Sequence, residues 1–357
     1  MSTSIDAGAD ANARADAKAG ADANARADAR ADAKAGEGRV RRAGDVLSRD
    51  EIRAFTRASD WAGARAVVGT WVMIAATFAV LARWPHPVAF VAAVVVLGGR
   101  QLALAVMMHE AAHGTLFRTR FLNDVVGDFL CARPVGGDVA RYRKHHLGHH
   151  AHTGTGRDPD LGLASAFPVT RASMARKLAR DISGISGLRR LLGLVLMDAE
   201  LLTYNVGGDA RPMPRRGIVT HLGALVRHGS GALVTNGLLL GALALSGHAW
   251  LYAAWAVANL TTYGLFLRIR SIAEHACMER SADPLRNTRT TRANLLARMT
   301  VAPLNVSHHL EHHLLPTVPY FRLPALGDAL IARGAMPESS TAPGYVAVLR
   351  GAASRTS

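Results

Sequence analysis

The chain has 357 residues, 49% of them hydrophobic, enough for one large domain or two small ones. Lys and Arg number 42 against 27 Asp and Glu, a formal charge of +15. The first 36 residues hold six Asp against five Lys/Arg, so the excess lies in the rest of the chain. The only cysteines, Cys131 and Cys277, form no CxxC pattern, which argues against a disulfide framework or a Cys-ligated zinc.

Alanine occupies every odd position from Ala7 to Ala35, alternating with Asp, Asn, Arg, Lys and Gly. Those residues are poor strand formers, and the tract buries too little apolar surface to offset its ordering entropy. Residues 1–36 are therefore expected to be a disordered tail. They lack the apolar stretch of a cleavable signal peptide.

Uncharged runs follow. Ala66 to Ala82 lies between Arg65 and Arg83, and Trp84 to Met108 carries one charge, Arg100. Gly229 to Leu267 is free of Lys, Arg, Asp and Glu, with a turn signal at Ser246-Gly247-His248. A bilayer core of about 30 Å needs about 17–25 helical residues, so the last run fits a hairpin and the chain fits four spans. This favours a membrane over nucleic acid as the partner of a basic chain. The alternative is four buried helices of a soluble protein. Arg39, Arg41, Arg42, Arg49, Arg53, Arg57 and Arg65 precede the first span, and the 109–228 loop is basic. The two short connections hold one Arg between them, so both termini and the large loop are expected on the cytoplasmic side.

Between the spans, Ile182 to Asn205 has helical spacing but too many charges to cross; it reads as an interfacial helix or as a packed helix of a cytosolic cap. Arg322 to Gly334 reads as an amphipathic cap helix with Pro324 near its start. The expected fold is an all-α integral membrane protein: four transmembrane helices and a cytosolic helical cap around a histidine-rich di-metal site. The domain is expected over 37–335, with 336–357 a flexible tail.

Twelve of the 16 histidines cluster: HEAAH (109–113), KHHLGHHAH (144–152), HHLEHH (308–313) and His275. Positions i, i+3 and i+4 share a helix face. His109/His113, His146/His149/His150 and His309/His312/His313 can therefore each aim imidazoles at one centre. That is more nitrogen than one zinc takes, which points to two metals. HEAAH alone also matches the zinc-protease signature, with Glu110 as base. A protease has no use for two further HxxHH blocks. A non-enzymatic metal-binding or transport protein is the other rival.

HEAAHGTLF, HHLGHHAHTGTGRDPDL and NVSHHLEHHLLPTVPYFRLPAL resemble the three histidine boxes of integral-membrane fatty-acid desaturases and hydroxylases, over about residues 50–335. RTRFLNDVVGDFLCARPV and IRSIAEHA resemble a bacterial subgroup that includes dihydrorhizobitoxine desaturase. The resemblance implies a di-iron centre held by His109, His113, His146, His149, His150, His309, His312 and His313, with His275 as ninth ligand. Ser271 departs from the Asn that acyl-CoA desaturases place four residues before that extra His. His145 and His308 are not expected to be ligands. Glu110, Glu311 and His152 are candidates to orient the ligands, with Glu274, Asp158 and Asp160 behind them. Arg100, about 13 Å before His109 along a helix, is expected to face the bundle or to snorkel to the interface. The implied reaction is O₂-dependent removal of hydrogen from an acyl chain or other aliphatic substrate, giving an alkene, or an alcohol in the hydroxylase variant. No Rossmann fingerprint or Cys cluster supplies electrons, so a separate ferredoxin or cytochrome-type donor is implied.

Overall fold

The structure, a computed structural model, describes residues 40–356, so the low-complexity tract 7–36 lies outside it. Helices dominate. Among the described residues the only strands are β1 (Thr290–Thr291) and β2 (Thr341–Ala342), paired in parallel.

Local sequence sets the helix ends. Helix α1 (Arg49–Phe55) opens on a capping box between Ser48 and Glu51. The Ser59 side chain caps α2 (Asp60–Arg83) by accepting from the Ala62 N–H. Helix α3 (Pro87–His113) starts on Pro87 and ends where Gly114 turns left-handed at φ 73°.

Helix α3 is the axis of the molecule, buried without interruption from Leu97 to Ala112. Two glycines allow that enclosure. A Cβ on Gly98 would run into the Thr262 side chain, and one on Gly99 into the Met299 carbonyl. Beside them Arg100 is buried and donates from Nη2 to the Met299 carbonyl at 2.9 Å. It faces the bundle rather than snorkelling.

Three helical stretches are long and apolar enough to cross a membrane: Arg49–Arg83, Pro87–His113 and Ile218–Leu245. The third, α8 (Ile218–Leu245), begins eleven residues before the expected run, because Arg227 sits exposed on a continuing helix. Its turn falls where expected, with Gly247 at φ 79°. The expected fourth span differs. It is two helices, α9 (Leu251–Leu260) and α10 (Thr262–His275), parted at Thr261 (φ −116°, ψ −86°). Each alone is shorter than the about 17 residues of a crossing.

Neighbouring groups bond the backbone at that break, as an apolar setting requires. Arg190 donates from Nη2 to the Asn259 carbonyl at 3.0 Å, and the Thr261 hydroxyl donates to the Val257 carbonyl at 2.6 Å. Arg190 belongs to α7 (Ile185–Asp198), whose Gly187 lies so close to the Leu260 backbone that a Cβ has no room. This helix packs by one face, while Leu188, Leu191, Leu192 and Val195 are exposed on another.

The C-terminal part folds back on the domain. Helix α11 (His309–Leu314) packs against α12 (Leu323–Ala332), which has Pro324 in its first turn. Residues 336–357 were expected to lie outside the domain as a tail. Instead β2 pairs with β1, and α13 (Tyr345–Ala352) packs on α10. Val169 donates to the Ala352 carbonyl at 2.8 Å.

Candidate metal centre

Four elements bring nine histidines together. His109 and His113 form the last turn of α3, and His275 is the last residue of α10. His146, His149 and His150 lie on α5 (Val139–His152), capped by Asp138, while His309, His312 and His313 lie on α11. Two groups result: His109, His113, His146, His150 and His312 in one, and His149, His275, His309 and His313 in the other. The ligand atoms within each lie within 4.8 Å of one another.

This corrects the expectation that each box serves one centre. His146 and His150, four residues apart, share a face and join the first group; His149, turned away from them, joins the second. The third box is the mirror case. His309 and His313 join the second group and His312 the first. Each HxxHH block thus bridges the two groups.

Ring orientation fits two clusters of converging ring nitrogens. The His275 Nδ1–H donates to the Asn287 carbonyl at 3.2 Å, which leaves its Nε2 lone pair 2.9 Å from His309 Nε2. In the other group His150 Nε2 lies 3.0 Å from both His146 Nε2 and His312 Nε2. Buried lone pairs facing one another repel unless a cation lies between them. Two nitrogens about 2.1 Å from a metal and at right angles to each other are about 3.0 Å apart, against about 3.4 Å for a tetrahedron. The spacing fits octahedral edges. His109 Nε2, His113 Nε2 and His313 Nε2 are buried with no hydrogen-bond partner, as unmet ligand atoms would be.

The outer nitrogens face orienting groups, the arrangement that sets tautomer and basicity in metal sites. Asp158 bonds His149 Nδ1 at 2.7 Å. Glu274, bonded by Arg270 at 2.6 Å, approaches His309 Nδ1 at 3.5 Å. Glu110 lies 3.6 Å from His109 Nδ1 and accepts from the Thr115 hydroxyl at 2.8 Å and the Tyr320 N–H at 3.0 Å. Sequence reasoning missed three neighbours. Tyr142 stacks on His146 with ring centroids 5.1 Å apart, and Thr153 Oγ1 lies 3.4 Å from His313 Nδ1. Asn287 supplies the carbonyl to His275. Only Tyr142 had a local signal, being four residues before His146 on the same helix.

Other candidates fall elsewhere. Glu311 bonds His308 Nδ1 at 2.8 Å and accepts from the Thr290 hydroxyl, so it serves neither group; it lies on the opposite side of the short helix from its box. His145 Nε2 bonds Asp160 at 2.7 Å. His152 lies outside both groups, as does Arg100.

Burial first, then neighbouring imidazoles, hold His146, His150, His309, His312 and His313 well below the ordinary histidine pKa. They are neutral, with lone pairs free to bind a cation. At His149 burial also pulls downward, but the Asp158 hydrogen bond and charge outweigh it and the net shift is upward.

A cavity of about 750 Å³ opens onto these residues. His146, His149, His275 and His309 form part of its wall, and Ser271 lines it one turn above His275.

The sequence model of the fatty acid desaturase family matches residues 85–343. Dihydrorhizobitoxine desaturase of Bradyrhizobium elkanii is 29% identical over 259 residues, covering 71% of this chain and 70% of that protein. The chain belongs to the fatty acid desaturase family.

Proposed function

We propose that this member of the fatty acid desaturase family is an O₂-dependent membrane desaturase that introduces a C=C bond into an aliphatic substrate, using two iron ions held by the nine histidines. The observation that carries the reading is the pair of converging imidazole groups beside a cavity large enough for an aliphatic chain. Bound iron would supply, with O₂ and two electrons, the oxidising power that removes hydrogen from an unactivated C–H bond.

The protein's own residues do the rest. Asp158, the Asn287 carbonyl and Glu274 hold His149, His275 and His309 with Nε2 inward. The cavity positions one C–C bond and excludes water. Helices α9 and α10 together complete a fourth crossing, with Arg190 bonding the carbonyl freed at the break. The arginine distribution supports a cytoplasmic location for both termini and the site. There the chain's +15 charge suits an acidic ferredoxin or cytochrome-type donor.

Hydroxylation is the close variant, since the same centre can return oxygen to carbon. The protease reading is disfavoured by Glu110, whose Oε2 already accepts bonds from Thr115 and Tyr320. The test compares lipid and small-metabolite profiles, with electron donor supplied, for the wild type and His149→Ala. A product lighter by two hydrogens and absent from the variant supports desaturation. A gain of one oxygen means hydroxylation. One zinc per chain together with a requirement for Glu110 would overturn the reading.

A further inference from the structure

A short helix in the C-terminal part, Leu295–Met299, sits deeper than its length suggests. Five residues are far too few to cross a bilayer. Contacts with the spanning helices fix its height. The Met299 carbonyl closes on Gly99, near the middle of α3, and accepts from Arg100 Nη2 at 2.9 Å. The other end of that guanidinium, Nη1, lies 3.5 Å from Met73 Sδ on α2. Met73 stands eight residues from Arg65 and ten from Arg83, about 12 and 15 Å at 1.5 Å per residue. Met299 therefore lies level with the interior of the uncharged run Ala66–Ala82, not with its end.

At that depth Leu295 and Leu296 are 77% and 69% exposed. The backbone around them bonds internally, as the bilayer interior requires. The Asn294 side chain accepts from the Ala297 N–H at 2.9 Å, and the Thr300 hydroxyl donates to the Leu296 carbonyl at 2.6 Å. The Ala302 N–H donates to the Ala297 carbonyl at 2.7 Å. Two exposed arginines stand at the neck. Arg292 precedes the helix, and Arg298 turns its Nε back to the Ala293 carbonyl at 3.3 Å. An apolar tip with guanidinium groups at its neck suits acyl chains below and lipid phosphates above. The chain then turns back through Leu304 and Asn305, left-handed at φ 53° and 57°. Ten residues carry it from Met299 to His309, as ten carry α3 from Gly99 to His109.

We propose that Leu295–Met299 is a membrane hook: it enters the bilayer from the histidine side, packs Leu295 and Leu296 among lipid acyl chains, and leaves on the side it entered. The exposed leucines continue the apolar surface of the spans. A second copy docked there would bring Arg292 and Arg298 against their like, so lipid is the occupant. The hook ties the third histidine box to the bilayer, and lipid as well as protein then sets the height of α11.

This inference rests on the chain spanning a membrane, not on its redox chemistry. Its test attaches a nitrobenzoxadiazole fluorophore at Leu296→Cys in the full chain in phosphatidylcholine nanodiscs. The background is Cys277→Ser, with Cys131 buried out of reach of the label. Leu238→Cys, exposed on the spanning α8, is the lipid control, and Asp328→Cys, exposed on α12, is the water control. The label at position 296 should lose more intensity to lipid with a mid-chain nitroxide than to lipid with a headgroup nitroxide. It should lose none to aqueous iodide, matching position 238. Leu295→Cys should repeat the result. Iodide quenching at 296 equal to that at 328 overturns the hook. So does stronger quenching by the headgroup nitroxide, which means the segment rests on the surface. Quenching by no agent also overturns it, because protein such as a second copy then covers the leucines. If position 238 meets iodide too, the spanning reading fails with the hook; failure at 295 and 296 alone leaves that reading in place.

Discussion

The two histidine groups are built differently. The first has five imidazoles and meets the cavity only through His146. The second has four, and three of them, His149, His275 and His309, line the cavity. Two of their outer nitrogens are also held more firmly. Asp158 and the Asn287 carbonyl bond His149 and His275 at 2.7 and 3.2 Å, whereas Tyr142 and Glu110 stand 3.5 and 3.6 Å from His146 and His109. A metal centre that does chemistry keeps a position open, and one that assists can be closed by protein nitrogen. On the proposed di-iron reading, the difference would put the working face at the four-membered group and a supporting role at the five-membered one.

The strongest way to break this comparison is to empty one group at a time. His309→Ala should cost the second group its metal and His312→Ala the first, each leaving about one iron per chain by elemental analysis and no detectable product. If either variant loses both metals, the groups are one unit and the division of labour fails. Asp158→Asn should lower activity or iron affinity about 10–100-fold, the usual effect of removing a carboxylate behind a metal-bound imidazole. Tyr142→Phe should cost no more than about threefold in turnover, because a 3.5 Å approach is a weak hydrogen bond. A larger loss there would place the stronger orientation in the first group. Gly99→Ala touches neither group but pushes α3 off the Met299 carbonyl. It should lower stability by about 1–3 kcal/mol, read as a drop in thermal midpoint, with iron content retained.

How much of this was legible in the sequence divides along the same line. The nine histidines could be listed from spacing and resemblance, because i, i+3 and i+4 positions on a helix converge whatever surrounds them. Their partition could not. It depends on how α5 and α11 are rotated about their axes, which tertiary packing sets. Asn287 and Thr153 gave no signal for the same reason: Asn287 ends a short helix, Pro284–Asn287, that tertiary packing returns to His275, and Thr153 meets His313 from a turn 160 positions away. Apolar runs located α2, α3 and the α8–α9 turn. The break at Thr261 was hidden, since nothing in LTTYG distinguishes a bent helix from a straight one until Gly187 and Arg190 press against it. Charge counting also shortened α8, because an exposed Arg227 does not end a helix. The tail expectation for 336–357 failed because two-residue strands such as Thr341–Ala342 leave no periodic trace.

The six-residue helix that carries the third box has a consequence for how the protein is made. A helix of that length does not hold together alone in water. Its partners stand far back in the chain: His312 shares a group with His109, 203 positions earlier. Contacts of such long sequence separation form late in folding. If the histidines hold metal as proposed, a newly synthesised chain would place its apolar helices while its imidazoles are still apart, and metal capture would be the closing step of maturation. Iron scarcity during synthesis would then yield a membrane-resident but unlatched protein, with the 309–314 segment the first place a protease finds.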